Sequence, residues 1–469
     1  MSLDLGTSGC KGALYSASGE RGRVISADYP VERPAPGAVE QNPRDYLEAA
    51  RRVSRELAGG DAMIAAVGFS TQTPTLVYCD EQGEAVGPAI VWQDSRAGEE
   101  AQILAARTTE EARREWFGLD LPVAAAATPP KILWMTRHRP EAWRRTRWVV
   151  QPKDYVAFHL TGAWATDRWC AKGIGHLATG AMHRDYLSLV GKACSVCPRT
   201  LPPEGVAGRV TEGAAREFGL EPGTPVITGW SDALAGILAT GALHTERRGF
   251  VLAGTSEIVG MSRAKCEKAG GLFRVPGDLL DLQALELHYG PTQAGGACLD
   301  WTARLFGRTP EEILATIEGR GLSGIVFRPY LYGERAPYWD HTLTATFDGL
   351  RADHGMADLA HAVLQGVALQ ERLVLERAER ETPACDVVLA GGAARDRRWN
   401  RLRANVLQRR CVVMDDIEAS LRGVALLAWA AIEPGMLKQP TPSWFEGVEL
   451  LPDPACAESS AGLMERFRM

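Results

Sequence analysis

SLDLGTSGCKGALYSASGE, residues Ser2–Glu20, sets an acidic residue and a Gly-Thr-Ser triplet between two short apolar runs. A P-loop would need Gly-Lys-Ser/Thr opening a helix whose N-terminus faces phosphate. The residues after this triplet alternate in polarity and end at a Ser-Gly turn, so they predict a strand, with the triplet as the turn of a β-hairpin. One glycine-containing turn between strands is ordinary punctuation. A role in holding phosphate needs a second observation.

That observation is RRGFVLAGTSEIVGMS, Arg247–Ser262, where a strand, a Gly-Thr-Ser turn and a strand follow one another again. Two matching hairpins suggest two halves, each opening on the same turn. Turn glycines let backbone N–H groups approach an anion, and Thr and Ser hydroxyls add donors. Asp4, just before the first turn, suits Mg²⁺ held through water, because that ion keeps most of its waters and takes few carboxylates. Together these describe a nucleotide site.

The rest of the chain reads as alternating strand and helix. NPRDYLEAARRVSRELAGG (Asn42–Gly60) predicts a helix with Asn42 as cap, Pro43 in the first turn and glycines at the end. MIAAVGFS (Met63–Ser70), TLVYCD and AIVW predict buried strands, and residues 96–145 are predicted mainly helical. PVITGWSDALAGILATGAL (Pro225–Leu243) predicts a strand, a turn and a small-residue helix from Asp232. A long helix over Ala357–Glu381, the strand CDVVLAGGA, the helix RRWNRLRANVLQ and the strand CVVM follow, an α/β pattern. No low-complexity linker separates the halves.

At 469 residues the chain exceeds one ordinary core. Hydrophobic and charged fractions of 45% and 23% place it among soluble globular proteins. A net charge of −6 without a long basic run argues against nucleic acid as partner. GVALLAWAAI (Gly423–Ile432) is about half a membrane span, so it predicts a buried helix and no membrane partner. The opening residues lack a signal-peptide pattern. The ten cysteines include one CxxC, Cys194 and Cys197, without a second ligand pair, so free thiols in a reducing cytoplasm are expected.

Nine segments, in order from Asp4 to about Ala431, resemble the FGGY carbohydrate kinases of the actin/hexokinase/Hsp70 superfamily. They are DLGTSGCK, PAPGAVEQNPRDYL, STQTPTLVYCDEQGEAVGPAIVWQDSR, LTGAWATDRWCAKGIG, GWSDALAGILATGAL, AGTSEIVG, GGACLDW, RPYLYGERAPYWD and LAGGAARDRRWNRLRANVL. The resemblance implies two RNase H-like (actin-like ATPase) α/β domains, residues 1–243 and 244–469, with ATP in the cleft between them and a sugar hydroxyl as acceptor. It assigns sugar binding and the first phosphate loop to the first domain, and the second phosphate loop and adenosine to the second.

Residue by residue, Asp232 matches the catalytic aspartate, which also touches the substrate. A carboxylate starting a helix is held by its positive end, so Asp232 is expected to stay ionised as a modest base. The same position suits a plain N-cap, and position alone does not separate the two. By the resemblance Gly6, Thr7, Ser8 and Lys11 face the phosphates from one side, and Gly254, Thr255 and Ser256 from the other. Gly391, Gly392, Ala393 and Asn400 border the adenosine, and Gly295 and Gly296 another part of the nucleotide. Sugar contacts fall at Gln72, Thr73, Trp92, Asp94, Arg96 and Trp169. The alternatives are Trp92 as core with Asp94–Arg96 as a structural ion pair, Trp169 as core, and Lys11 as an exposed strand lysine.

Three departures bear on the substrate and the start of the chain. Thr73-Pro74 stands where xylulose-type members often have Met-His. HTLTATFDGL (His341–Leu350) lacks the family's usual Asp-Pro and Ala-Arg-Gly. Only three residues precede Asp4, where family members usually have a slightly longer first strand, so either a trimmed or misassigned start or a weakened strand under Asp4 stays open. The expected activity is ATP- and Mg²⁺-dependent phosphorylation of a ketopentose such as xylulose. Erythritol, glycerol, gluconate and autoinducer-type acceptors stay open, as does a non-catalytic ATP- or sugar-sensing role. The family is often homodimeric, so a second copy of the chain is carried as a partner.

Overall fold

In the computed structural model, β1 (Ser2–Leu5) and β2 (Gly9–Ala13) pair antiparallel, with Asp4 opposite Lys11 and Leu5 opposite Cys10. The Gly6 N–H donates to the Gly9 carbonyl at 3.0 Å and closes the turn. All residues are described except 61, 120, 122, 265–269, 278–284, 434 and 469. β3 (Ile25–Asp28) lies beside β2, β4 (Gly68–Thr71) lies parallel to β1, and β5 (Trp230–Ser231) lies parallel to β4, giving the order β5-β4-β1-β2-β3. Leu3, Leu5 and Phe69 are fully buried in this sheet. The helix Pro43–Ala58 covers it, capped by the Asn42 side chain, which accepts from the Arg44 N–H at 3.1 Å. Gly12 permits that packing: a Cβ there would lie 2.6 Å from both Leu3 and Val53 side-chain carbons.

The strand expected over Met63–Ser70 is confined to Gly68–Thr71. Its ladder with β1 starts at the Ser2–Gly68 row, and Met63 is 88% exposed, with no core face to bury.

β6 (Arg248–Ala253) and β7 (Glu257–Ala264) form the second hairpin. With β8 (Phe273–Val275), β9 (Leu285–Pro291), β10 (Asp386–Ala390), β11 (Cys411–Met414) and β12 (Gly447–Leu450) they build a sheet in the order β8-β9-β7-β6-β10-β11-β12. β10 is parallel to both β6 and β11. The long helix Met356–Glu379 buries Val363, Val367 and Val374 in the core of this part.

The chain divides into two compact units, Met1–Ala235 with Ser420–Thr441, and Gly236–Ala419 with Pro442–Met469. The apolar run near residue 425 is the helix Ala419–Ala430, and most of it returns to the first unit. There Gly423 lies so close to Ala235 that a Cβ would sit 1.8 Å from its carbonyl oxygen. The Trp429 indole N–H donates to the Tyr15 carbonyl, and Arg422 donates to that of Gly19, each at 3.1 Å. Among the described residues no helix is long and apolar enough to cross a membrane.

Candidate active site

Strand register places the first group of residues. Asp4, Ser70 and Trp230 share one row across β1, β4 and β5, and Leu5, Thr71 and Ser231 share the next. Gly6, Gln72 and Asp232 therefore leave the sheet together at the carboxyl ends of three neighbouring parallel strands, where α/β folds place ligands. One Asp4 carboxylate oxygen accepts from the Ser70 hydroxyl at 2.7 Å. Asp232 opens the helix Asp232–Ala239, and its carboxylate accepts from the Ala233 N–H at 2.7 Å. Burial, and next the Asp4 carboxylate, push its pKa up to about 7, against the lowering influence of the Ala233 N–H and Lys172. This corrects the expectation that the helix end keeps Asp232 in the ordinary carboxylate range. Desolvation and a like charge outweigh one capping N–H.

The first turn is braced from three sides. The Thr7 hydroxyl accepts from the Trp92 indole N–H at 2.9 Å, and the Thr7 carbonyl from the Gln41 amide at 2.8 Å. Gln41 in turn accepts from the Gln72 amide at 2.8 Å and from Tyr46 at 2.9 Å. Gln41 thus ties Gln72 to the first Gly-Thr-Ser turn. It sits within the quoted EQNP run, yet its function depends on a contact 31 residues away in sequence. Gln72 is 1% exposed, and its Oε1 has no partner among the described residues. Tyr29 donates to the Gly6 carbonyl at 2.6 Å, while Ser8 and Lys11 are exposed.

Asp94 and Arg96 are committed inward. Asp94 is fully buried and accepts from the Val39 N–H at 2.6 Å, the Arg96 Nε at 2.8 Å and the Arg96 N–H at 3.0 Å. Arg96 also donates to Glu40 at 2.7 Å and lies 4.8 Å from the Trp134 ring centroid. Trp92 is half-buried. The buried Lys131 ammonium donates to the carbonyls of Pro74 at 3.1 Å and Val91 at 2.8 Å, pinning the segments that carry Thr73 and Trp92. Burial lowers its pKa to about 7. Trp169 is 3% exposed, with the Lys172 Nζ 4.7 Å from its ring centroid. Lys131 and Lys172 carried no spacing signal, since their roles come from folding.

In the second unit, Gly254 follows β6 and Gly391 follows β10, and these strands are adjacent and parallel, with Leu252 beside Ala390. Gly391 has φ +91°, and a Cβ there would lie 2.5 Å from the Ala253 carbonyl oxygen, so only glycine brings these turns together. The Gly296 N–H donates to the Gly254 carbonyl at 2.8 Å, and the Ala297 N–H to that of Thr255 at 3.0 Å. Gly254–Ser256, Gly295–Gly296 and Gly391–Ala393 thus gather at one end of the sheet. Asn400 is buried and donates to the Ala394 carbonyl at 2.7 Å. Gly392 is exposed, with open space where a Cβ would be.

Two α/β units, each opening on a Gly-Thr-Ser hairpin, define an actin-like ATPase architecture. The model of the FGGY carbohydrate kinase N-terminal domain matches residues 1–239 and that of the C-terminal domain residues 249–432. The chain belongs to the FGGY family of carbohydrate kinases and is a sugar kinase; kinases of this family use ATP. It is 30% identical over 420 residues to the xylulose kinase of Escherichia coli (strain K12), covering 86% of this chain and 84% of that protein. Its fold is similar to that of ligand-bound xylulose kinase from Lactobacillus acidophilus, with a TM-score of 0.88 at 23% identity, covering 100% of this chain and 97% of that one. It is also similar to gluconate kinase from the same organism, with a TM-score of 0.87 at 24% identity, covering 99% and 96%.

Proposed function

We propose that this sugar kinase transfers the γ-phosphoryl group of ATP to a hydroxyl of a ketopentose of the xylulose class. The observation that carries it is the meeting of Asp232, Asp4 and Gln72 with the first phosphate turn at three neighbouring strand ends. Asp232 takes the hydroxyl proton as the acceptor oxygen attacks the γ-phosphorus and ADP leaves. Its pKa near 7 suits a base working at neutral pH. Gln72, Thr73, Trp92 and Trp169 bound the sugar, with Asp94 and Arg96 holding the Trp92 segment from behind.

In the first unit, backbone N–H groups of Gly6–Ser8, with Lys11, are suited to offset phosphate charge; in the second, those of Gly254–Ser256 are suited to phosphate, and Gly295, Gly296, Gly391–Ala393 and Asn400 to the rest of a nucleotide. The donor set suits a hydrated Mg²⁺: Asp4 offers a carboxylate beside a second acidic group. The ion would neutralise phosphate charge.

The likeness to a xylulose kinase in sequence supports the ketopentose. The fold does not choose, since a gluconate kinase shares it. One observation favours a sugar acid instead: Lys172, a half-buried cation beside Trp169, acts electrostatically on Asp232, and a cation there would favour an anionic acceptor. An ADP-release screen over ketopentoses, polyols, gluconate and glycerol decides. Xylulose is expected to give the highest kcat/KM. Stimulation by gluconate alone, lost in Lys172→Met, would establish the second reading, and no stimulation by any acceptor would sink both.

A further inference from the structure

The mechanism leaves unused a fully buried charged cluster in the second unit. Arg403, on the helix Arg397–Leu407, has no exposed surface. Its guanidinium donates to Glu257 at 2.9 Å and to Glu371 at 2.7 Å, and lies 4.2 Å from the Trp399 ring centroid. A third arm donates to the Ala393 carbonyl at 3.0 Å and to the Asn400 side chain at 3.3 Å. Glu257 directly follows Ser256 in the second phosphate turn. Its backbone carbonyl accepts from the Thr292 N–H at 2.8 Å, and its Cγ lies where a Gly295 side chain would collide, at 2.9 Å. Glu371 anchors the cluster to the long helix Met356–Glu379.

We propose that Arg403 is a positioning residue for the nucleotide, fixing the second phosphate turn relative to the Gly391–Ala393 loop through one rigid guanidinium fork. The planar fork holds Glu257 and the Ala393 carbonyl at once, which a lysine ammonium cannot do in the same geometry. Two buried carboxyls around one guanidinium also explain why Glu257 stays protonated far above the usual carboxylate range: burial and the Glu371 charge outweigh Arg403. The inference rests on the reading that these two loops hold ATP.

The experiment compares Arg403→Lys and Glu371→Gln with the parent in steady-state assays that vary ATP and sugar separately, with ADP binding measured by calorimetry. Arg403→Lys keeps the charge but loses the fork, and the near-isosteric Glu371→Gln removes the charge of one anchor while leaving both loops unaltered. A tenfold or greater rise in the KM for ATP and the Kd for ADP, with the KM for sugar within threefold, is expected. An ATP KM within threefold of the parent in a folded variant, or equal rises for both substrates, would overturn the proposal. Gly392→Asp, at an exposed position with open space, separates the two levels. If it leaves ATP KM unchanged, the nucleotide reading itself fails. If it raises ATP KM while Arg403→Lys does not, only the Arg403 inference fails.

Discussion

In the proposed reaction Asp232 is the one carboxyl group that takes the hydroxyl proton. Removing it as a base by Asp232→Asn is expected to lower kcat by at least about 100-fold while leaving the melting profile cooperative; turnover within about tenfold, about 1.4 kcal/mol of barrier, would exclude it as the base. With its pKa near 7, the acidic limb of kcat/KM in the free enzyme should fall near pH 7 rather than near 4. Linkage gives a second readout. The native pKa lies above that of the unfolded chain, so the folded apoprotein holds the extra proton and its stability falls as pH rises from about 4 to about 7. Denaturant titrations across that window should show the fall, and Asp232→Asn should flatten it. Its role as catalytic candidate was legible from GWSDALAG. Its charge state was not, because Asp4 approaches it only after β1, β4 and β5 have paired.

At the level of elements, the two hairpin turns behave differently from the segments around them. Their Gly-Thr-Ser signature is local, so both were visible in the sequence. Gly391 shows what adjacency adds: its φ of +91° and the nearby Ala253 carbonyl leave no room for a side chain. Gly391→Ala is expected to cost about 1–3 kcal/mol, read as a lowered Tm, and to weaken the extra stabilisation given by ADP. An unchanged Tm and ADP shift would mean the two turns do not need this close approach. Asp94 and Arg96 make the opposite point. The resemblance implied that they are polar contacts of a sugar, while the fold aims them at Val39 and Glu40, so they brace the segment that carries Trp92.

Over the whole molecule, the helix Ala419–Ala430 comes late in sequence but mostly completes the first unit. Gly423 on Ala235, Val424 near Gly68 and Trp429 on Tyr15 cover a face that residues 1–243 alone would expose. Expressed by themselves, residues 1–243 are therefore expected to melt without a sharp transition and to bind apolar dyes. A cooperative melt close to that of the full chain would refute this dependence.

The sequence by itself determined the family, the order of α/β elements, both Gly-Thr-Ser hairpin turns and the candidate aspartate. Each of these is a local signal: a turn composition, a hydrophobic period or a short motif. Tertiary structure decided which residues hold those signals in place, among them Gln41, Lys131, Arg403 and the returning helix at 419–430. It also decided which carboxyl groups are buried beside one another, and hence their protonation. Contacts between distant segments and the loss of solvent around charges have no fixed spacing along a chain, so they exist only once it has folded.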